Sequence, residues 1–259
     1  MSAQGSSALV RFFGFPATLV HGDTLVLDRW LWLRPRLPRV MPGSARLLDV
    51  GCGSGAFTIG AALRGYSALG LSWDLRNIDV AVHRAALCHA STASFEVQDV
   101  RRLEDRPDLA GQFDVVTCCE VIEHILDDRK LMRDMSRCLK HGGTLLLTTP
   151  YSGYRPITRG DAGPFSQIED GWHVRKGYTH AELAALCAEA GLDTVEMEFC
   201  SGFASQKITW LMRSAEDVHQ LLGWALVLPL RPLPPLIDPW LSPLLRWPAY
   251  SVTLVARKA

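Results

Sequence analysis

The stretch Leu47-Leu48-Asp49-Val50-Gly51-Cys52-Gly53-Ser54-Gly55 carries an apolar run directly into a glycine-rich turn. Glycines at alternate positions allow positive φ angles and let the backbone approach a ligand closely. A helix that begins after the turn offers free N–H groups to that ligand. An acid two residues before the first glycine is poorly suited to a pyrophosphate, but Asp49 can receive an ammonium group or order the turn. The stretch therefore predicts a strand, a turn and a helix that bind an amino-acid-bearing ligand.

A dinucleotide-binding turn is the competing interpretation of the same glycines. Gly51-x-Gly53-x-x-Ala56 also satisfies the dinucleotide pattern, and Asp74 stands about where a ribose-binding acid would lie. A single match of this kind has little specificity. A nicotinamide-dependent oxidoreductase therefore stays as an alternative, and the remaining motifs must distinguish it from a protein that binds an amino-acid-bearing ligand.

Short apolar runs alternate with segments of helical periodicity from Arg46 onward, which is typical of a mostly parallel sheet. Strands are predicted near 46–50, 67–71, 94–97, 113–118, 144–149, 194–199 and 251–256. Helices are predicted near 56–64, 77–89, 127–140 and 179–190, with Asp127 and Asp128 suited to capping the third. We therefore expect an N-terminal cap, residues 1–44, followed by an α/β domain, residues 45–259.

An apolar insertion at about 205–248 precedes the last predicted strand. Residues 221–248 are too rich in proline for one helix and too apolar for a simple loop. They can fold over the end of the sheet, build an apolar acceptor pocket, form a homodimer contact or rest on a membrane surface as a peripheral element. The sequence leaves these four alternatives open.

Composition excludes several classes of function. Lys plus Arg and Asp plus Glu both number 27, so no net positive field favours nucleic acid. Seven cysteines without paired spacing indicate buried, reduced thiols, and the N-terminus lacks the features of an export signal. Residues 221–230 are too short to span a membrane. We expect a cytoplasmic protein, with a peripheral position at the inner membrane as the alternative.

Four motifs in order resemble those of class I S-adenosylmethionine-dependent methyltransferases: the glycine stretch 47–55, Gln98-Asp99-Val100, Phe113-Asp114-Val115-Val116 with Glu120-Val121-Ile122-Glu123-His124, and the run 139–147. The resemblance covers roughly residues 45–200. It implies a Rossmann-like, three-layer α/β sandwich with a seven-stranded, mostly parallel sheet whose last strand is antiparallel. It also implies S-adenosyl-L-methionine as cofactor and a small-molecule acceptor, and the apolar insertion leaves a lipid-linked acceptor open.

The same resemblance assigns roles to residues. In that family the glycine turn faces the methionine part of the cofactor, an acid after the second strand bonds the ribose, and an Asp pair after the third strand contacts the adenine. The implied cofactor-binding residues are Asp49, Gly51, Cys52, Gly53, Gly55, Asp74, Asp99, Val100 and Glu120. Asp74 departs from the pattern, because Ser72 occupies the usual place of the acid, so Ser72 and Trp73 are alternative contacts. A turn or helix-cap acid is the alternative for Asp99.

Glu120, Glu123 and His124 are spaced so that one helical turn would present all three on one face. The stretch is similar to that of ubiquinone-pathway O-methyltransferases and small-RNA 2′-O-methyltransferases, where two Glu and a His bind a divalent metal with a downstream His. The similarity implies a metal site of Glu120, Glu123, His124 and His173, with Mg²⁺ as the ion. A metal-free site, in which His124 takes a proton from an acceptor hydroxyl, and a merely solvated loop are the alternatives.

Residues 149–178 form a long connection that we expect to cover the acceptor. Its arginines, Arg155 and Arg159, favour an anionic acceptor, while Tyr151, Tyr154 and His173 can hold polar groups. His21 is a further candidate, because the N-terminal segment closes over the cofactor in the family. We predict O-methylation with Glu123, His124 and His173 as the catalytic residues, and sugars, phenols and lipid-linked precursors stay open as acceptors. A non-catalytic cofactor-binding module is a second alternative.

Overall fold

The computed structural model describes residues 7–20, 25–216, 223 and 226–259. His21 and part of the predicted insertion, residues 217–222, 224 and 225, lie outside these ranges. Seven strands form one sheet: β1 (Arg46–Val50), β2 (Ser67–Ser72), β3 (Ala93–Val97), β4 (Phe113–Cys119), β5 (Leu139–Pro150), β6 (Leu192–Cys200) and β7 (Ser251–Lys258). The order is β3-β2-β1-β4-β5-β7-β6, and β7 is antiparallel to both of its neighbours. The predicted fold class is confirmed.

Nine α-helices are described: α1 (Ala8–Phe13), α2 (Phe15–Val20), α3 (Leu25–Arg36), α4 (Ala56–Ala62), α5 (Leu75–Leu87), α6 (Asp128–Cys138), α7 (His180–Glu189), α8 (Phe203–Glu216) and α9 (Pro234–Leu244). Every strand and helix predicted from the α/β pattern is present. Asp127 caps α6 by accepting a hydrogen bond from the Lys130 amide, as its position indicates. No helix in the described ranges has both the length and the hydropathy needed to cross a bilayer.

Strand β5 begins five residues before the predicted start, at Leu139. Leu139 pairs with Phe113, and the register then jumps so that Val115 pairs with Thr144. The extra residues form a bulge, which the two glycines Gly142 and Gly143 accommodate. The sequence pattern predicts a longer gap between the end of α6 and the start of β5 than the structure has. A bulged segment shows neither the helical nor the strand periodicity of apolar residues, so its residues are assigned to neither element.

Adjacent residues of the central strands enter two different hydrophobic clusters, one on each face of the sheet. Leu48 and Val116 belong to the cluster under α6 and α7, whereas Leu47 and Val115 belong to the cluster under α3, α4 and α5. Successive side chains of a strand point to opposite faces, so a strand covered on both sides must be apolar throughout. This arrangement explains the uninterrupted apolar runs of the sequence.

The N-terminal helices form part of this packing. Trp30 and Leu33 of α3 and Val10 of α1 are buried in the cluster with α4 and β1. Farther along, the amide of Val40 donates to the carbonyl of Arg64, and the Gly43 amide donates to the carbonyl of Gly65. The segment that enters β1 is therefore fastened to the turn between α4 and β2. The division of the chain at residue 44 stays a prediction.

Gly65→Ala should destabilise the protein more than Gly111→Ala. Both glycines have positive φ, which costs an alanine about 1–2 kcal/mol. A Cβ at Gly65 would also collide with the carbonyl oxygen of Val40, whereas nothing lies within 4 Å of a Cβ at Gly111. We expect Gly65→Ala to cost roughly 1–3 kcal/mol beyond its control, as overpacked sites do. Urea unfolding curves measure the difference, and equal midpoints for the two variants would contradict this packing.

Candidate active site

A cleft of about 430 Å³ opens at the carboxyl ends of β1, β2, β3 and β4. In a parallel sheet these ends meet at one edge, where the strand order reverses on either side of β1. The lining residues are Gly51, Gly53, Ser72, Trp73, Asn77, Asp99, Val100, Arg101, Glu120, Val121, His124, Ile125, Glu169, Asp170 and Gly171. The structure therefore brings the glycine turn, the Asp99-Val100 pair and the segment after β4 to one site.

Asp49 lies beneath this cleft, with a side chain that is almost completely buried. Its carboxylate accepts hydrogen bonds from Thr58 Oγ1 at 2.7 Å and from Thr117 Oγ1 at 2.9 Å. Burial raises the pKa of Asp49, and the two hydroxyls oppose that shift. Asp49 thus ties the end of β1 to α4 and β4, which is the turn-ordering role among the two that the sequence allows.

The glycines of the turn differ in function. Gly51 has φ +80° and faces Val121, whose methyl groups would collide with a Cβ at this position. Gly53 has φ +50° and faces open space. Gly55 instead packs against Ala81 and Phe95, so its glycine is required by the core. Cys52 is buried and, like Gly55, is absent from the residues that line the cleft.

The two acids expected to hold the ribose and the adenine are both helix caps. Asp74 accepts from the Arg76 amide at the start of α5, and Asp99 accepts from the Arg101 amide at the start of a short 3₁₀ segment. Asp99 lines the cleft and forms a 2.6 Å contact with the Arg101 guanidinium, which lowers the pKa of Asp99.

Ser72, Trp73 and Asn77 line the cleft after β2, whereas Asp74 does not. Ser72 and Trp73 are the alternative contacts that the altered motif suggests. Asn77 follows Trp73 by one helical turn, a spacing that could have identified it. The part of the cleft next to β2 is therefore lined by a hydroxyl, an indole and an amide.

Glu120 occupies a left-handed backbone conformation, φ +53°, directly after β4. Its Oε1 accepts from Thr148 and Ser251 at 3.1 and 3.0 Å, and its Oε2 lies 3.1 Å from Nη2 of Arg29. Both charged side chains are largely buried. Sequence reasoning missed Arg29, because no local pattern links α3 to a residue that follows it by 91 positions.

Glu123, His124 and His173 form a second polar group in the same region. Glu123 Oε1 lies 3.8 Å from Nε2 of His124 and 4.0 Å from Nε2 of His173, and the two imidazole centroids are 4.6 Å apart. Each of the three offers one ligand atom, and these atoms lie within 4.8 Å of one another. The structure brings the downstream His173 beside the Glu-His pair.

The expected single helical face of Glu120, Glu123 and His124 does not form. The chain makes only a 3₁₀ turn, Ile122–His124, and Glu120 precedes it with a left-handed backbone. The Glu120 carboxylate is held by Arg29 and is not part of the three-residue group. The ion pair with Arg29 is the physical reason, because it compensates a carboxylate that would otherwise be buried without a counterion.

Burial sets the protonation of this group. It lowers the pKa of His124, and burial together with the neighbouring His124 lowers the pKa of His173 to about 4. Burial and the nearby Glu120 raise the pKa of Glu123 well above its usual range. Glu123 Oε2 accepts from Thr149 Oγ1, but Oε1 has no hydrogen-bond partner within the described residues. Both imidazoles are therefore neutral at neutral pH.

The loop after β5 is fastened across this site. The Val174 amide donates to the Glu123 carbonyl at 3.0 Å, and Glu169 accepts from the Leu126 amide. Tyr154 is buried, and its hydroxyl donates to the Asp161 carbonyl. The loop's other candidates for holding an acceptor, Tyr151, Arg155 and Arg159, do not line the cleft. The loop thus delivers His173, Glu169 and Asp170 to the site and directs its arginines elsewhere.

Comparison with known proteins identifies related sequences. The family described as methyltransferase domain matches residues 26–197. The chain is similar to a ubiquinone biosynthesis O-methyltransferase of Xanthomonas axonopodis pv. citri, with 33% identity over 63% of this chain and 68% of that protein. It is also similar to a ubiquinone biosynthesis O-methyltransferase of Pseudomonas aeruginosa, with 30% identity over 67% and 74% of the two chains.

Solved structures extend the likeness to the fold. Phosphoethanolamine N-methyltransferase 2 of Haemonchus contortus, determined with S-adenosyl-L-methionine, superposes with a TM-score of 0.62 at 19% identity. The superposition covers all of this chain and 60% of that one. At this identity the likeness concerns the sheet and its helices.

His173→Asn should remove part of the loss of stability at acid pH. A histidine whose pKa falls from 6.5 to about 4 on folding binds its proton more readily when unfolded. The loss of folding stability that His173 causes is therefore absent above the pKa of the unfolded state, and it grows as pH falls from about 6.5 to about 4. We expect the stability advantage of wild type over His173→Asn to shrink across this window. Urea unfolding in the presence of a chelator measures it, and a constant difference would contradict the assignment.

Arg29→Met should destabilise the protein by about 3 kcal/mol, because it leaves Glu120 buried without its counterion. Adding Glu120→Gln to this variant should recover part of that loss. A double-mutant cycle from urea unfolding gives the coupling energy. Additive effects of the two substitutions would show that the pair does not act as a unit.

Proposed function

Because the chain is a class I S-adenosylmethionine-dependent methyltransferase, we propose that it methylates a hydroxyl oxygen of a small acceptor. The observation that carries this proposal is the group beside the cleft in which a buried Glu123 meets the half-buried His124 and His173. Relatives named as O-methyltransferases support the same chemistry. The family assignment removes the nicotinamide-dependent oxidoreductase and the non-catalytic module as interpretations.

The residues of the cleft fit S-adenosylmethionine. Val121 leaves no room for a side chain at Gly51, and Gly53 faces open space, so the turn offers bare backbone to the methionine part. Asp99 and the Val100 backbone would hold the adenine. Ser72, Trp73 and Asn77 would line the ribose, and Asp74 is proposed as a weaker contact because it does not line the cleft. Cys52 and Gly55 would act only by shaping the turn.

When bound, the cofactor supplies a methyl group that its sulfonium already activates. The protein then has to align the acceptor oxygen and accommodate its proton. A neutral His124 would accept that proton at Nε2, and His173, in edge contact with it, would fix the orientation of the ring. Glu123 would lie beneath both imidazoles, with its Oε1 3.8 and 4.0 Å from their Nε2 atoms.

A divalent cation such as Mg²⁺ is the second arrangement that the same three residues could serve. The unpartnered Glu123 Oε1 and the two neutral imidazoles form a donor set of mixed oxygen and nitrogen. A bound cation would favour the ionised carboxylate, against the effect of burial. His124 would then be a ligand and could not act as the base, so the two arrangements are mutually exclusive.

The charges of the cleft favour an uncharged acceptor. Four carboxylates line the cleft: Asp99, Glu120, Glu169 and Asp170. Among the described lining residues, Arg101 is the one arginine or lysine, and it is paired with Asp99 and Glu169. Arg155 and Arg159, whose positions suggest an anionic acceptor, lie away from the cleft. We therefore propose a phenol or another neutral hydroxyl compound over a uronic acid or a phosphate ester.

Asp99→Ala should weaken binding of S-adenosylhomocysteine by about tenfold or more, because a hydrogen bond to a charged group contributes about 1.5–3 kcal/mol. Asp105→Ala is the matched control: this exposed acid ends the same 3₁₀ segment and pairs with Arg102. Calorimetric titration measures both affinities. Equal affinities would contradict the adenine role of Asp99, and no binding by folded wild type would overturn the function itself.

Transfer of a labelled methyl group to a panel of phenols, amines and carbanion-forming substrates tests the reaction. We expect labelled ethers only, and we expect His124→Asn to lower kcat by at least about a hundredfold with little change in cofactor affinity. A chelator should have no effect if His124 acts as the base, whereas loss of turnover restored by Mg²⁺ would support the metal arrangement. Methylation of amines or carbon in place of oxygen would refute the proposal.

A further inference from the structure

Helix α9 carries an apolar stripe that nothing in the described residues covers. Its side chains Leu236, Trp240 and Leu244 are 69%, 79% and 78% exposed. Leu233 and Ile237 are also exposed and follow the same helical spacing. These five residues are called the α9 patch. Such a set of large apolar side chains marks an interaction surface.

The opposite face of α9 is fixed to the protein. Asp238 accepts hydrogen bonds from the amides of Ala204 and Ser205 at the start of α8, at 2.7 and 3.1 Å. Ser242 accepts from the Phe203 amide at 2.8 Å. Asp238 is the only acidic side chain between residues 226 and 259, and these hydrogen bonds engage it. The helix is held with its apolar stripe outward, although Pro239 lies within it.

Three cations lie close to the C-terminal end of α9, at and around Trp247. Trp247 follows the helix, and its ring centroid lies 4.6 Å from Lys207 Nζ and 4.4 Å from the Arg155 guanidinium. Arg246 is exposed immediately before it. None of these three cations forms an ion pair with another described residue. The surface therefore combines exposed Leu and Trp side chains with uncompensated positive charge.

We propose that the α9 patch docks on an anionic phospholipid bilayer. Tryptophan and leucine favour the boundary between headgroups and acyl chains, and the three neighbouring cations complement a negative headgroup layer. An interface with a second copy or another protein would leave those cations unpaired unless the partner supplied acids. Arg155 belongs to the loop that carries His173, so docking would bring this loop to the membrane surface. The inference does not depend on the identity of the acceptor.

Vesicle sedimentation of the full chain tests the proposal. We expect binding to vesicles of equal parts phosphatidylcholine and phosphatidylglycerol, weakened by high salt, and little binding to phosphatidylcholine alone. Trp240→Asp should reduce the binding by about tenfold or more, because it removes an inserted ring and adds a repelled charge. Met41→Asp is the control, since Met41 is 77% exposed elsewhere in the chain.

Two arginine substitutions test whether positive charge contributes to vesicle binding. Arg246→Gln should weaken binding about fivefold at low salt, whereas Arg133→Gln, at an exposed arginine of α6, should leave it unchanged. Retained binding of S-adenosylhomocysteine checks that every variant is folded. Failure of wild type to bind anionic vesicles, or undiminished binding by Trp240→Asp, would overturn the proposal. A third result would also overturn it: wild type does not bind vesicles but self-associates, and Trp240→Asp abolishes the self-association. This result would assign the patch to a second copy.

Discussion

The fold and the site both depend on one buried carboxylate. A charged group inside an apolar sheet is tolerated only where donors meet it, and the hydroxyls of Thr58 and Thr117 approach Asp49 from α4 and β4. These contacts hold the glycine turn against the strand that carries Glu120. The geometry of the cleft is therefore determined below its surface, by a residue that does not line it.

The sheet could be predicted in detail because its signals are local. The central parallel strands are buried on both faces and appear as continuous apolar runs, and helix starts such as Asp127 carry their own caps. The bulge at the beginning of β5 could not be predicted, because its two glycines resemble a helix end as closely as a strand. Helix α9 could not be predicted either, because its prolines are typical of a segment that is not helical. Two of them fall within the helix, and the side chains of Asp238 and Ser242 hold the helix against the start of α8.

The site was predictable where motif residues follow strands, and it was not where distant segments meet. The resemblance to methyltransferases brings Gly51, Asp99 and His124 to one cleft, and the structure has all three there. Arg29 was missed because its ion pair with Glu120 joins elements far apart in the sequence. That same contact explains why Glu120 leaves the polar group formed by Glu123, His124 and His173. Long-range charge pairing thus overrides the helical spacing that suggested a four-residue site.

The position of β7 has a consequence for synthesis. Although β7 follows β6 in the chain, it lies between β5 and β6 and pairs with both. Until residues 251–258 leave the ribosome, β5 has a free edge and β6 has no neighbouring strand to join. Unpaired strand edges with apolar faces invite association with other chains. The nascent protein must therefore keep a gap in its sheet while α8 and α9 are made, and this interval is when a chaperone would protect it most.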